Sequence, residues 1–107
     1  MRIRLAAAAL LLGAVSSGAL AQGDVTTGQT LARDLCARCH NVEPGGPFKL
    51  YPPSFASIAV YRAPEDIRWK ILAPTLHSGM PRFAETFYLT RDGVGDVVAY
   101  IVSLEEK

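Results

Sequence analysis

Apolar residues recur at intervals of three and four residues in two long stretches of the chain, which is the spacing of one face of an α-helix. The first stretch predicts a helix over residues 27–38, with Thr26 and Gln29 at the spacing of a capping box. The second stretch predicts a helix that begins after Thr90 as its N-cap and ends near Leu104. We expect both helices to bury their apolar stripes in one core.

Two shorter helices are predicted between these two. One covers residues 54–60, and the next begins at Pro64, a residue suited to the first helical position, and stops at Pro74. Prolines and glycines predict loops elsewhere, including most of residues 75–89. No segment has a convincing strand pattern. The predicted fold class is therefore small and all-α, with about four helices.

The first residues form an apolar segment of a different kind. Two arginines precede an apolar run at residues 5–15, and Ala19 and Ala21 supply the small residues of a signal-peptidase site. The run is too short for a membrane anchor, because a spanning helix needs about 20 apolar residues. We therefore expect a secretory signal peptide at residues 1–21, a mature domain at residues 22–107, a periplasmic location and no stable membrane insertion.

The charge and the size of the predicted mature domain limit the functions and structures that it can have. The chain has 11 Lys and Arg residues, two of which lie in the predicted signal peptide, so nine remain against 10 Asp and Glu residues. No basic stripe remains, and this argues against nucleic-acid binding. A domain this small builds a limited core and often needs a covalent or metal-based reinforcement. Its two cysteines lie too close together to cross-link distant segments.

The sequence Cys-Ala-Arg-Cys-His at residues 36–40 has the C-x-x-C-H pattern of covalent haem attachment. Cys36 and Cys39 lie about one helical turn apart, so each thiol can add to one vinyl group of the haem, and His40 can then bind the iron. Two other interpretations are weaker. A thioredoxin-like redox pair needs a βαβ pattern, which the chain lacks, and a zinc knuckle needs more ligands than His77 can add.

The second axial ligand of the iron can be inferred from the residues available. An iron that only transfers electrons has both axial positions filled. Beyond His40, the mature domain contains one other histidine, His77, and one methionine, Met80. Met80 follows Gly79, which lets the backbone approach the haem, and precedes Pro81, which favours an extended backbone. We expect Met80 to bind the iron, with His77 or an open sixth position as the alternatives.

The order and spacing of the predicted helices, the attachment motif and the Met80 segment resemble those of a class I c-type cytochrome of the short bacterial type. The resemblance covers the whole mature chain and rests on Gly28, the attachment motif, and the segments at residues 53–55, 78–81 and 96–101. It implies a small cytochrome c fold of about four helices around one covalent haem c.

The resemblance also implies roles for individual residues. The carbonyl of Pro53 is expected to accept a hydrogen bond from Nδ1 of His40, which leaves Nε2 for the iron. Gly28 and Tyr100 are expected where the first and last helices cross. Trp69 has two interpretations: its indole donates to a haem propionate, as an aromatic residue does in many relatives, or it packs at the edge of the core.

The function implied is an exported one-electron carrier that meets a redox donor and a redox acceptor as a monomer and has no catalytic residues. Two alternatives remain. The first is a haem c subunit of a periplasmic oxidoreductase, such as a dehydrogenase or a sulfur-oxidising complex, which would expose a larger apolar patch. The residues that could form this patch, or could equally wrap the haem, are Phe48, Leu50, Tyr51, Phe87 and Tyr88. The second is an enzyme or gas sensor with an open iron position.

Overall fold

The computed structural model describes residues 23–47, 51–74 and 79–105. The signal peptide predicted at residues 1–21 and the alternative ligand His77 lie outside these ranges. The regular structure of the described residues is helical, which confirms the all-α class. In these ranges no helix is both long and apolar enough to cross a membrane.

The longest connection between the described helices, residues 36–54, joins the first helix to the second and contains the attachment motif. The helices are α1 (Val25–Leu35), α2 (Phe55–Tyr61), α3 (Pro64–Leu72), α4 (Phe83–Thr86) and α5 (Arg91–Ser103). Four of them match the predicted helices. The fifth, α4, lies in the segment predicted to be mostly loop, because a helix of four residues is too short to show periodicity.

Side-chain caps mark the starts of α1, α2 and α5. Thr90 caps α5 as predicted, since its hydroxyl accepts a 3.0 Å hydrogen bond from the N–H of Gly93. The predicted start of α1 was wrong, because Asp24 is its N-cap and its carboxylate accepts a 2.8 Å hydrogen bond from the N–H of Thr27. The N–H of Asp24 donates in turn to the carboxylate of Asp96, at 2.7 Å. This bond ties the start of α1 to α5.

The crossing of α1 and α5 is the main helix contact of the fold. Gly28 is buried there, and a Cβ added to it would overlap the carbonyl oxygen of Asp96 and lie 3.0 Å from the Cβ of Tyr100. The fully buried Ala32 follows one turn later on α1. Small residues on α1 therefore let the two backbones approach closely. The expected Gly28–Tyr100 contact is present.

Replacing Gly28 with alanine should destabilise the holoprotein by about 1–3 kcal/mol, because the new methyl group forces α5 away from α1. Gly95 on α5 provides the matched control. A Cβ there would meet only the guanidinium of Arg68, at 3.6 Å, so Gly95→Ala should stabilise the fold by about 0.5–1 kcal/mol. Denaturant unfolding followed by circular dichroism measures both. Shifts of the same sign would contradict the proposed role of Gly28.

Candidate functional site

An apolar cavity lies between the helices, bounded by residues of α2, α3 and α5 together with Leu35 at the end of α1. The cavity has a volume of about 120 Å³, which is far more than one water molecule needs. Protein interiors are otherwise closely packed, so a space of this size inside a small domain indicates a bound group. Its apolar lining includes Leu35, Phe55, Ile58, Ile67, Ile71 and Val97.

The attachment motif begins where α1 ends. Cys36 is the C-cap of α1, and its carbonyl accepts hydrogen bonds from the N–H groups of Cys39 (3.2 Å) and His40 (2.9 Å). The predicted helix end at residue 38 was therefore too late, because the chain leaves the regular helix at the first cysteine. The resulting turn lets Cys36 and His40 line the cavity, while Cys39 lies at its opening.

The environment of Cys36 does not suit the nucleophile of a thioredoxin-like redox pair. Both cysteines are free, with Cys36 half-buried and Cys39 exposed. Burial raises the pKa of the Cys36 thiol to about 11, with a further contribution from the charge of Cys39. A thioredoxin-like nucleophile needs a lowered pKa so that it is a thiolate near neutral pH. The environment of Cys36 acts in the opposite direction.

The imidazole of His40 is held on one side and presents the other side to the cavity. Its Nδ1 lies 2.7 Å from the carbonyl oxygen of Pro53. A carbonyl oxygen only accepts, so Nδ1 carries the proton and Nε2 keeps a lone pair for a metal. The ring also packs against Phe55, with 5.5 Å between centroids. The N–H of Phe55 donates to the carbonyl of Asn41 at 2.9 Å, which joins α2 to the residue after His40.

Met80 lies in the segment between α3 and α4, where its half-buried side chain lines the same cavity as His40. The preceding residue, Gly79, has a φ of +84°, a backbone conformation that side-chain-bearing residues rarely adopt. Gly79 therefore serves the turn that leads Met80 towards the cavity. An imidazole nitrogen and a thioether sulfur on one apolar cavity are a donor set that suits haem iron.

A second pocket adjoins the cavity, and we call it the crevice mouth. It shares Leu35, Cys36, His40, Met80 and Phe83 with the cavity. Its own lining residues are Arg38, Cys39, Tyr51, Pro52, Gly79, Pro81 and Phe87. The exposed cysteine of the motif therefore opens onto this part of the surface.

The structure places Trp69 away from the cavity lining. Its side chain is 65% exposed on α3. Three charged residues of the same region line the cavity instead: Arg62, Asp66 and Lys70. Nothing in the sequence singled out Asp66 and Lys70 as site residues, although each directly precedes an apolar residue of the α3 stripe. Arg62 and Lys70 are cations suited to the propionates of a haem, and the propionate role of Trp69 stays a prediction.

Contacts from outside the motif hold the segment that follows His40. The buried hydroxyl of Tyr100 donates a 2.7 Å hydrogen bond to the carbonyl of Val42, 58 residues away. Arg33 on α1 makes a two-pronged ion pair with Glu43, at 2.8 and 3.0 Å. Hydrogen bonding from Arg33 lowers the pKa of the Glu43 carboxyl, so the contribution of this exposed pair is present near neutral pH and declines in acid.

Comparisons with known proteins agree with this site. Residues 23–101 match the family described as "Cytochrome C oxidase, cbb3-type, subunit III". The chain is also similar to cytochrome c-552 of Bradyrhizobium diazoefficiens, with 40% identity over 100 residues that cover 89% of this chain and 88% of that protein. No solved structure matches the chain. The family match includes the attachment motif, Met80 and most of α5.

Proposed function

We propose that this chain, which belongs to the family of cbb3-type cytochrome c oxidase subunit III, is an exported one-electron carrier. The premise is that it is a small monohaem c-type cytochrome, and therefore an electron-transfer protein rather than an enzyme. In this proposal Cys36 and Cys39 hold the covalent haem c, and His40 and Met80 bind its iron. The observation that supports the proposal best is that His40 and Met80 line one apolar cavity.

The bound haem supplies an iron that cycles between Fe(III) and Fe(II). The chain's own residues adapt that iron to electron transfer. Pro53 orients the imidazole of His40 through the 2.7 Å hydrogen bond to Nδ1, so the ring does not need to turn when the charge changes. The thioether of Met80 favours the reduced state and raises the reduction potential. The apolar walls keep water away from both ligands.

Spectroscopy and potentiometry test the ligation directly. We expect one reversible one-electron couple, a weak near-infrared absorption from an iron–sulfur bond in the ferric protein, and ferrous protein that resists carbon monoxide. Those three results follow if both axial positions are filled by protein ligands. Rapid binding of carbon monoxide by the unmodified protein would instead favour an enzyme or sensor with an open iron.

Export is the second part of the proposal. It is supported by the apolar run behind two arginines at the start of the sequence and by the usual location of c-type cytochromes outside the cytoplasm. We expect N-terminal sequencing of the mature, haem-containing protein to begin at Gln22. Retention of residues 1–21 in the mature protein would contradict cleavage and favour a membrane anchor.

A haem c subunit of a periplasmic oxidoreductase complex is the alternative function. It is favoured by the family description, which names a subunit of an oxidase, and by the exposed aromatic residues Tyr51, Phe87 and Tyr88. The site chemistry would be the same in both cases. Size-exclusion chromatography of the protein from its own host separates them, because a free carrier elutes as a monomer and a permanent subunit elutes with its complex.

A further inference from the structure

Two buried serines at the start of α2 stand close to the site, although neither of them lines the cavity. Ser54 is fully buried and Ser57 is 8% exposed. Burying a hydroxyl costs free energy unless the hydroxyl is hydrogen-bonded, and an alanine at residue 57 would avoid that cost. The Ser54 hydroxyl alone caps α2, because it accepts the N–H of Ser57 at 3.2 Å. The second hydroxyl therefore has a purpose other than capping.

The two hydroxyls close a ring of hydrogen bonds, and we call Ser54 and Ser57 the serine pair. The Ser54 hydroxyl donates to the hydroxyl oxygen of Ser57 at 3.1 Å, and the Ser57 hydroxyl donates back to the carbonyl of Ser54 at 2.8 Å. The same carbonyl also accepts the N–H of Ile58 at 3.0 Å. The hydroxyl of Ser57 therefore holds both the side chain and the backbone of Ser54.

Ser54 is the residue between two contacts to the imidazole of His40. On one side, the carbonyl oxygen of Pro53 lies 2.7 Å from Nδ1. On the other side, the ring of Phe55 packs against the imidazole, and the N–H of Phe55 donates to the carbonyl of Asn41. The carbonyl of Pro53 and the nitrogen of Ser54 belong to one planar peptide unit, so a shift of Ser54 also turns this carbonyl. The position of Ser54 therefore controls the hydrogen bond to His40.

We propose that Ser54 and Ser57 are positioning residues for His40, and that they hold the reduction potential of the haem below the value it would have without them. The inference rests on the proposed carrier function. A hydrogen bond from Nδ1 to a carbonyl makes an imidazole ligand more basic. A more basic ligand stabilises Fe(III) more than Fe(II), because the ferric iron carries more positive charge. The serine pair therefore opposes the thioether of Met80, which raises the potential.

Ser57→Ala in the holoprotein tests the proposal, because it breaks the ring and leaves the hydroxyl that caps α2 in place. We expect the ferric state to lose about threefold in stability relative to the ferrous state, which raises the potential of a one-electron couple by about 28 mV. The Nδ1 proton of His40 in the ferrous protein should exchange with solvent about threefold faster or more, since its hydrogen bond is weaker. Potentiometry and proton NMR measure these two changes.

Three further variants separate the positioning role from a purely structural one. Ser57→Thr keeps the hydroxyl, which can bond the same carbonyl three residues earlier, so the potential and the exchange rate should stay those of the unmodified protein. Ser54→Ala removes the ring and the cap together and should raise the potential at least as far as Ser57→Ala does. Thr90→Ala is the matched control, because the Thr90 hydroxyl caps α5 and does not line the cavity. It should lower the unfolding midpoint and leave both measurements on the haem site unchanged.

The outcomes separate the serine pair from the carrier function. If Ser57→Ala left the potential and the exchange rate unchanged, the pair would only stabilise α2 and the inference would be wrong. If Ser57→Thr or Thr90→Ala moved both quantities as far as Ser57→Ala does, the cause would not be the hydroxyl at this place, and the inference would be wrong again. If the unmodified holoprotein gave no reversible couple, the carrier function would fail, while exchange of the Nδ1 proton would still test the positioning of His40.

Discussion

Met80→Ala should open the iron of the holoprotein to carbon monoxide and lower its reduction potential. Alanine has no atom that can replace the thioether, so water or an added ligand would take the sixth position. The near-infrared absorption of the ferric protein should disappear, and peroxidase activity should rise. The decrease in reduction potential should be no larger than about 0.8 V, the range over which axial ligands tune the potential of haem iron. Potentiometry and carbon monoxide titration measure the two main effects.

His77→Ala is the control for this prediction, since it removes the other side chain that could bind the iron. It should leave the absorption, the potential and the response to carbon monoxide nearly unchanged. If His77→Ala opened the iron and Met80→Ala did not, the ligation would be bis-histidine and the unmodified protein would have a lower potential. Both residues lie close together in the sequence, so a difference between the variants reports ligand identity rather than loop disruption.

The double replacement Cys36→Ala and Cys39→Ala should leave a chain with little helical structure. Without attachment the cavity between the helices has no permanent occupant, and the side chains that line it lose their contacts with the haem. Domains of this size are stabilised by only about 5–15 kcal/mol, so the loss of such a large part of the core is sufficient to unfold them. Far-ultraviolet circular dichroism of the haem-free variant measures this.

Two single variants provide the comparison for the double variant. Cys36→Ala and Cys39→Ala each keep one thiol, and each should retain haem and helical signal at an intermediate level. Extraction with acid-acetone, which removes haem that is not covalently bound, distinguishes them from the double variant, because colour stays with a polypeptide that keeps a covalent bond. A haem-free double variant that unfolded cooperatively from a fully helical state would show that the chain does not need the haem to fold.

The haem-attachment site could be predicted from the sequence because its reactive groups lie on residues that are close together in the chain. Two thiols and an imidazole must lie within five consecutive residues to reach one haem, so residues 36–40 reveal the cofactor without any knowledge of the fold. The longer helices were predicted for a similar reason, since their apolar stripes repeat over several turns. The single turn of α4 and the Asp24 cap depend on a few atoms, and the periodicity of the chain does not encode them.

The hydrogen bond from Tyr100 that supports the segment after His40 is non-local, and no pattern in the sequence predicts it. The Tyr100 hydroxyl reaches Val42 across 58 residues, so the bond exists only once α5 has packed against α1. Asp66 and Lys70 line the cavity because of the rotation of α3 relative to α5. Trp69 was a candidate because its side chain is aromatic, but that side chain is largely exposed. Residue type alone predicts candidate ligands, and the packing of the helices determines which side chains face the cavity.

The crossing at Gly28 has a consequence for the order in which the molecule is assembled. The two helices that meet there stand near opposite ends of the described domain, so this contact closes a loop of almost the whole domain and cannot form until α5 has been synthesised. The thiols at residues 36–40 emerge much earlier and stay accessible in the meantime. A haem added before α5 arrives would meet an open chain, and the packing of α5 would then close the domain around it.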